Sequence, residues 1–289
     1  PSMGRSCDRG VHQFSAWIIC FLSASSLSGC LVDSVCYGDS DCGEKNRCEA
    51  GRCVDISCHT PADCRDDEVC NTTLGVCEKA CPHGDTPLDC PKGMVSIEDA
   101  FCLDVYEASR PDATVVEPGT DGSRATSRAG VIPWQAENAE AQAACEAAGK
   151  DLCTEREWGC ACRGPSQTVY AYGDDYDPTI CNGIDTFCLC EGACGSQEPC
   201  PFPGCYHICG AAFHVTPTGD KAGCLGPYGA YDLNGNVWEH VKGGNNTRVR
   251  GGAFNCSDSK KLHRCDYIPG TWTPSARGFR CCWRPGEVS

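Results

Sequence analysis

Gly229-Ala230-Tyr231-Asp232-Leu233-Asn234-Gly235-Asn236-Val237-Trp238-Glu239-His240-Val241 is the stretch on which the reading of this chain turns. Gly235-Asn236 predicts a tight turn, and the residues around it are loaded with oxygen. Asp232 and Glu239 supply carboxylates, and Gly235 and Val237 supply backbone carbonyls. Hard cations such as Ca²⁺ take six to eight oxygens from carboxylates and carbonyls together. These four residues are spaced so that one loop can wrap one ion. The same carboxylates could instead cap backbone N–H groups in a metal-free turn.

Two further blocks follow in order: Arg248-Val249-Arg250-Gly251-Gly252-Ala253-Phe254-Asn255-Cys256 and Ala276-Arg277-Gly278-Phe279-Arg280-Cys281-Cys282. Two lie upstream: Met94 to Ser109, and Ala143 to Pro165. Together, from about Cys90 to Trp283, they resemble the signature blocks of the formylglycine-generating enzyme (sulfatase-modifying factor) family. The resemblance implies an α+β fold with little regular secondary structure, a variant of the C-type-lectin-like scaffold. It implies a structural Ca²⁺ at Asp232, Gly235, Val237 and Glu239, and a second Ca²⁺ site with Asn182 as a ligand. It also implies disulfides Cys145–Cys281 and Cys162–Cys265.

The family's activity is oxidation of a substrate cysteine to formylglycine, using O₂ and a copper ion held by two thiolates. Soft thiolates suit Cu(I). By resemblance, Cys256, Ser259 and Trp238 match catalytic positions. The family's serine is Ala253 here, its histidine is Ser257, and its second cysteine is Lys261. A lysine ammonium has no lone pair for a metal. The family's copper site therefore cannot form in the usual way unless Cys265 or another thiol moves in. Two functions stay open: an oxidoreductase acting on an exported polypeptide, with Cys256 as its thiol, and a non-catalytic, Ca²⁺-stabilised module that binds an envelope glycan or protein.

Composition sets the compartment. Thirty cysteines in 289 residues exclude a reducing cytoplasm, because disulfides persist in exported proteins. A net charge of −15 argues against a nucleic-acid partner. Arg5 and Arg9 precede an apolar run from Phe14 to Leu22, and Leu27-Ser28-Gly29-Cys30 follows. That pattern predicts a signal peptide over 1–29, with Cys30 as the lipidated residue of a bacterial lipobox. A plain secretory leader is the alternative. The lipid on Cys30 would be the membrane anchor of an outer-membrane lipoprotein, with 30–35 as its tether.

Residues 36–80 hold two Cys-rich repeats, Cys36/Cys42/Cys48/Cys53 and Cys58/Cys64/Cys70/Cys77, with a period of about 22 residues. Two disulfides per unit replace a core too small to form. Each unit has three possible connectivities, and zinc is the rival reading. A linker over 81–92, stapled by Cys81 and Cys90, leads into the main domain at 93–285. Strands are expected at Val95–Ile97 and at Phe101–Glu107, the second with alternating burial. A helix is expected from Trp134 to Gly149, with Ala139, Ala143 and Cys145–Ala148 inward. A second helix is expected after Thr154, with Glu157 completing a capping box and Trp158 pointing into the core. Asp174, Asp175 and Asp177 read as solvated loop acids. Residues 183–223 form a Cys-rich insertion in which His207 stands between Cys205 and Cys209.

Removing Cys7 and Cys20 with the leader, and Cys30 by acylation, leaves an odd number of cysteines. Cys256 is the candidate free thiol, with Lys260 or Lys261 favouring its thiolate. Otherwise it pairs with Cys160 or Cys282.

Overall fold

The computed structural model describes residues 42, 45–65, 68–71, 75–187, 214–243, 248–256, 258–269 and 274–286. The expected leader, Cys30, the tether, Cys36, Ser257 and positions 188–213 of the insertion, His207 included, lie outside the described residues. The chain divides into two compact units, with the boundary after Asp55. That boundary falls between the two Cys-rich repeats, not after the second.

In the first unit, strands β1 (Asn46–Glu49) and β2 (Arg52–Asp55) form an antiparallel hairpin. Cys42–Cys53 staples it. Cys48 is also in a disulfide. Ala50 and Gly51 turn the hairpin with left-handed backbone, the requirement of a tight two-residue loop.

The second unit begins with the second repeat, a hairpin of β3 (Glu68–Asn71) and β4 (Val76–Lys79). Its disulfides are Cys58–Cys70 and Cys64–Cys77, first to third and second to fourth. The sulfurs of Cys58, Cys64 and Cys77 lie within 4.8 Å of one another. All three are already oxidised, which removes the zinc reading. The expected Cys81–Cys90 staple is not formed. Cys81 bonds Cys160 and Cys90 bonds Cys102. The linker is thus fastened to the main domain at both ends, because each cysteine faces a strand or helix of that domain and not its neighbour.

The main domain is built on a four-stranded sheet in the order β5 (Met94–Ile97), β6 (Phe101–Asp104), β13 (Cys281–Trp283) and β9 (Asp151–Leu152). The expected second strand ends at Asp104, and all four of its residues are buried. Alternation fails because both faces of this sheet are covered. On one face Leu152 and Cys281 pack with α1 (Asn138–Glu146), Trp134 and Phe279. On the other, Ile97, Phe101, Leu103 and Cys282 pack with α2 (Glu155–Arg163) and Leu233.

Consecutive residues of a strand point to opposite faces. Cys281 therefore reaches Cys145 of α1, while Cys282 reaches Cys153 at the start of α2. Cys162–Cys265 and Cys181–Cys224 close the set. The two pairs implied by the family resemblance, Cys145–Cys281 and Cys162–Cys265, are both present.

Helix α1 is shorter than expected. It starts at Asn138 after Glu137, which provides no side-chain cap. Trp134 lies before it, edge-on to Phe279 at 5.6 Å. Its buried residues are Ala141, Ala144 and Cys145, whereas Ala139 and Ala143 face outward. The position of Cys145, fixed by its disulfide, sets which face turns inward. Helix α2 follows its sequence closely. Thr154 accepts from the Glu157 N–H, Glu157 accepts from the Thr154 N–H, and Trp158 is fully buried.

The short strands β7 (Ala108–Ser109) and β8 (Thr126–Ser127) pair with each other, and α3 (Ile184–Phe187) precedes the insertion. A second sheet, β11 (Val249–Arg250), β10 (Trp238–His240) and β12 (Arg277–Phe279), carries the Gly235 turn at the N-terminal end of its middle strand. The helix α4 (Ser259–Leu262) follows Cys256. Among the described residues no helix is long and apolar enough to cross a membrane.

With Cys153–Cys282 intact, Cys145–Cys281 closes a ring of about eleven residues, worth about 2.7 kcal/mol in chain entropy. Replacing Cys145 and Cys281 by serine should cost about that much in denaturant unfolding. Removing both crosslinks should cost more than twice as much, because a larger ring, of about 28 residues bounded by Cys162–Cys265, then opens as well. Simple additivity would contradict this nesting.

Candidate functional site

The Asp232–Glu239 turn is buried throughout. Asp232, Gly235 and Asn236 all have left-handed backbone, with φ of 58°, 80° and 54°. At Gly235 a side chain is also impossible, since a Cβ would lie 2.4 Å from the Asn182 carbonyl oxygen. The turn is held from both sides. Asn236 N–H donates to the Asn182 carbonyl, and Phe254 N–H donates to the Asn236 carbonyl. The Asn236 side chain donates to Glu107 Oε2 at 2.6 Å, and the Val237 N–H donates to Glu107 Oε1 at 3.1 Å. Glu107 was read from sequence only as the end of a strand. It clamps the turn from beneath.

Glu239 does not stand open to solvent. Both of its oxygens accept from the Arg280 Nε–H, at 2.8 and 2.7 Å, and Oε1 accepts also from Nη2 at 2.6 Å. Oε2 further accepts from the Trp158 indole N–H at 2.5 Å. Trp158 was expected to be core alone, and it is also a hydrogen-bond donor to the site. Asp232 accepts from the Gly219 N–H at 2.6 Å. Three buried carboxylates, on Glu107, Asp232 and Glu239, thus surround one guanidinium. Burial pushes the Asp232 carboxyl up to about 7, with Arg280 opposing and Glu239 adding to the shift. Burial also drives Glu107 well above the carboxylate range, and the charges of Asp232 and Glu239 add to it.

A buried charge of this kind is costly unless balanced. Among the described residues no hydrogen bond outside the strands ends on the carbonyls of Gly235 or Val237. Buried carbonyls are almost always paired. The negative excess and the unused carbonyls at one loop fit the demands of a hard divalent cation. Glu239 in addition has Arg280 as a counter-charge.

Asn182, matched to a ligand of a second Ca²⁺ site, lies against the Gly235 turn. Its side chain donates to the His214 carbonyl and to Asn236 Oδ1, so it braces the same turn. The acids expected beside it behave as loop residues. Asp174 accepts from Val169 N–H, Asp177 accepts from Thr179, and both are exposed with Asp175.

Cys256, Trp238, Ala253, Phe254, Val249 and Leu262 share one buried cluster. Ser259, the first residue of α4, is buried beside them, against Gly183. Of the three residues singled out as catalytic, Cys256 and Trp238 thus share a cluster, and Ser259 is buried at the start of α4. Cys256 is the free cysteine among the described residues. Its Sγ accepts from the Ala253 N–H at 3.1 Å.

Cys160 and Cys282, the alternative partners, are bonded elsewhere, and Cys265 is bonded to Cys162. No second described thiol is left to share a metal with Cys256. Lys261, at the position of the family's second cysteine, carries its ammonium over the Tyr267 ring, 6.0 Å from the centroid. The expectation that Lys260 or Lys261 lowers the Cys256 thiol is overturned. Burial pushes it up to about 12, and Asp258 adds to the rise. Beside it His263 Nε2–H donates to the Ala253 carbonyl, and burial lowers its pKa to about 4.

A family model for the sulfatase-modifying factor enzyme 1-like domain matches residues 130–285, more than half of the chain. The chain belongs to that family. Among solved structures it is similar to PvdO from Pseudomonas aeruginosa, at 15% identity over 70% of this chain and 89% of that one, with a TM-score of 0.36. It is also similar to the Major Tropism Determinant U1 variant, at 13% identity over 83% of this chain and 60% of that one, with a TM-score of 0.35. A search of curated protein sequences finds no match. Membership of the sulfatase-modifying factor family rests on the sequence match and on its ordered blocks.

A thiol this buried should resist alkylation. At pH 8, iodoacetamide should leave Cys256 unlabelled in the native chain and label it in guanidinium without reductant, as read by peptide mass mapping. Rapid native labelling would contradict the burial described above.

Proposed function

We propose that this sulfatase-modifying factor domain has given up the family's copper-dependent oxidation of cysteine and serves as a binding module. One observation carries the reading. The second thiolate position is Lys261, with its ammonium at an aromatic face, and the remaining thiol, Cys256, is buried and held protonated. A two-thiolate copper centre does not fit these residues, and no oxidative step is derived through one. Fold alone does not carry the family's chemistry.

Calcium is part of the proposal. Asp232 and Glu239, with the carbonyls of Gly235 and Val237, would hold Ca²⁺, and Glu107 and Asn182 would brace the turn. The ion's role is structural charge balance. The scaffold is proposed to be of the C-type-lectin-like kind, in which loops stapled by disulfides present a surface. The lipobox at Cys30 supports a lipoprotein of the bacterial outer membrane, and the exported setting makes an envelope glycan or exported polypeptide the class of partner.

Copper titration of the mature, oxidised chain with O₂-uptake measurement tests the loss of catalysis. The expected result is no Cu(I) binding above that of Cys256→Ala and no thiol-dependent O₂ uptake. Stoichiometric copper lost in Cys256→Ala would sink the reading.

The calcium proposal has its own test. Asp232 is raised in the fold from 3.8 to about 7, so its contribution without metal is complete at low pH and is lost as pH rises through that window. Ca²⁺ binds the ionised form and should offset this loss. The gain in Tm on adding Ca²⁺ should therefore be larger at pH 8 than at pH 5, and should shrink in Asp232→Asn. Equal Tm values in EDTA and in Ca²⁺ at pH 8 would end it.

A further inference from the structure

The second Cys-rich repeat carries two disulfides on one short frame. Cys58–Cys70 and Cys64–Cys77 join the arm 58–64, at both its ends, to the hairpin of β3 and β4. Three of the four sulfurs, on Cys58, Cys64 and Cys77, lie within 4.8 Å of one another. They belong to both disulfides, so a sulfur of one bond stands beside a sulfur of the other.

The backbone already suits a second pairing. Cys70 and Cys77 are directly opposite in the β3–β4 register. Opposite residues of an antiparallel pair have Cα atoms about 4.5–5.5 Å apart, inside the span that a disulfide accepts. Cys58 and Cys64 are brought together by the 3₁₀ turn Pro61–Asp63. There the Asp63 carboxylate accepts from the His59 and Thr60 N–H groups, at 2.7 and 2.8 Å. Cys58–Cys64 with Cys70–Cys77 therefore fits the same frame.

Burial decides where exchange starts. Disulfides exchange by thiolate attack on one sulfur, through a mixed disulfide, at a rate that depends on access. Cys58 and Cys77 are buried, at 2% and 4% exposure, whereas Cys64 and Cys70 are half-buried. Each bond thus has one sulfur open to a small thiolate and one enclosed sulfur to act as leaving group. In the main domain Cys145, Cys281, Cys153 and Cys282 are all fully buried and offer no such entry.

We infer that the second repeat is a thiol–disulfide exchange site, at which a small monothiol converts Cys58–Cys70/Cys64–Cys77 into Cys58–Cys64/Cys70–Cys77. The monothiol's thiolate attacks Cys64 Sγ, forms a mixed disulfide and releases the Cys77 thiolate. Cys77 attacks Cys70 Sγ, forms Cys70–Cys77 and releases the Cys58 thiolate. Cys58 attacks Cys64 Sγ, forms Cys58–Cys64 and returns the monothiol. No electron is gained or lost overall. Entry at Cys70 reaches the same product, with Cys58 attacking Cys64 first and Cys77 attacking Cys70 last. Before exchange, both bonds tie the arm to a hairpin that is fixed to α2 through Glu78–Arg163 and Cys81–Cys160. After exchange, each bond lies within one piece. The arm is then held by backbone hydrogen bonds, from Cys58 N–H to Gly75 and from Cys77 N–H to Ile56.

The test exposes the full oxidised chain to excess reduced glutathione at pH 8 without oxidant, then applies acid, thiol blocking, trypsin and mass mapping. Trypsin cuts after Arg52, Arg65 and Lys79. Peptides 53–65 and 66–79 are bridged in the starting pairing and separate in the exchanged one. Peptide 66–79 should appear with an internal disulfide, at least about tenfold faster than Cys145–Cys281 opens. Free thiols should not rise with it. Cys64→Ser should show Cys70–Cys77 without glutathione, because its Cys77 is already a thiol. Peptides that stay bridged, release only with a matching gain in free thiols, release no faster than Cys145–Cys281 opens, or a Cys58–Cys70 bond retained in Cys64→Ser would each overturn the inference. The wild-type time course decides the matter even where the variant does not fold.

Discussion

The ion pair between Glu239 and Arg280 is the constraint around which the main domain is arranged. Glu239 sits in β10 with β11 on one side and β12 on the other. Arg280 stands between β12 and β13, and so at the point where the chain passes from one sheet to the next. Its remaining N–H groups donate to the carbonyls of Asp104 and Tyr231. One guanidinium thereby joins the four-stranded sheet, the loop before the Gly235 turn and the three-stranded sheet. Both partners are buried, at 0% and 1% side-chain exposure. Such a pair adds little net stability over a hydrophobic pair of the same shape, but losing one partner strands a charge, at a cost of about 3–5 kcal/mol. Its value here is in fixing one arrangement of the two sheets.

The second organising element is sulfur. Cys281 and Cys282 are consecutive, so the pleat sends them to opposite faces, and each is bonded to a different helix region. Helices of nine residues are short for independent stability, and sheets of two to four short strands give modest cores. Crosslinks make up the difference by limiting the unfolded chain. The same logic, in smaller form, runs through the Cys-rich repeats, where each hairpin has almost no apolar interior.

The chemistry follows from where charge and thiol are buried. At the Gly235 turn the fold concentrates carboxylates beyond what Arg280 neutralises. At Cys256 it does the reverse, enclosing a single thiol among Phe254, Trp238 and Leu262 with no cation close enough to favour the thiolate. Lys260 and Lys261 lie in α4 and are exposed. The position that supplies a second thiol elsewhere in the family thus supplies, in this chain, a surface charge.

Local features were legible in the sequence because their causes are local. The Thr154–Glu157 capping box and the tight turn at Gly235-Asn236 depend on residues a few positions apart. The family blocks carried the two long-range disulfides, Cys145–Cys281 and Cys162–Cys265. The sequence by itself could not show that Glu107 reaches under the turn, that Trp158 donates to Glu239, or that Cys81 passes over Cys90 to reach Cys160. Nor could it show that β6 is buried on both faces, or that Cys256 is raised and not lowered. Each of these depends on what packs against a residue from a distant part of the chain. Burial and neighbouring charge are properties of the assembled interior, and only the tertiary structure fixes them.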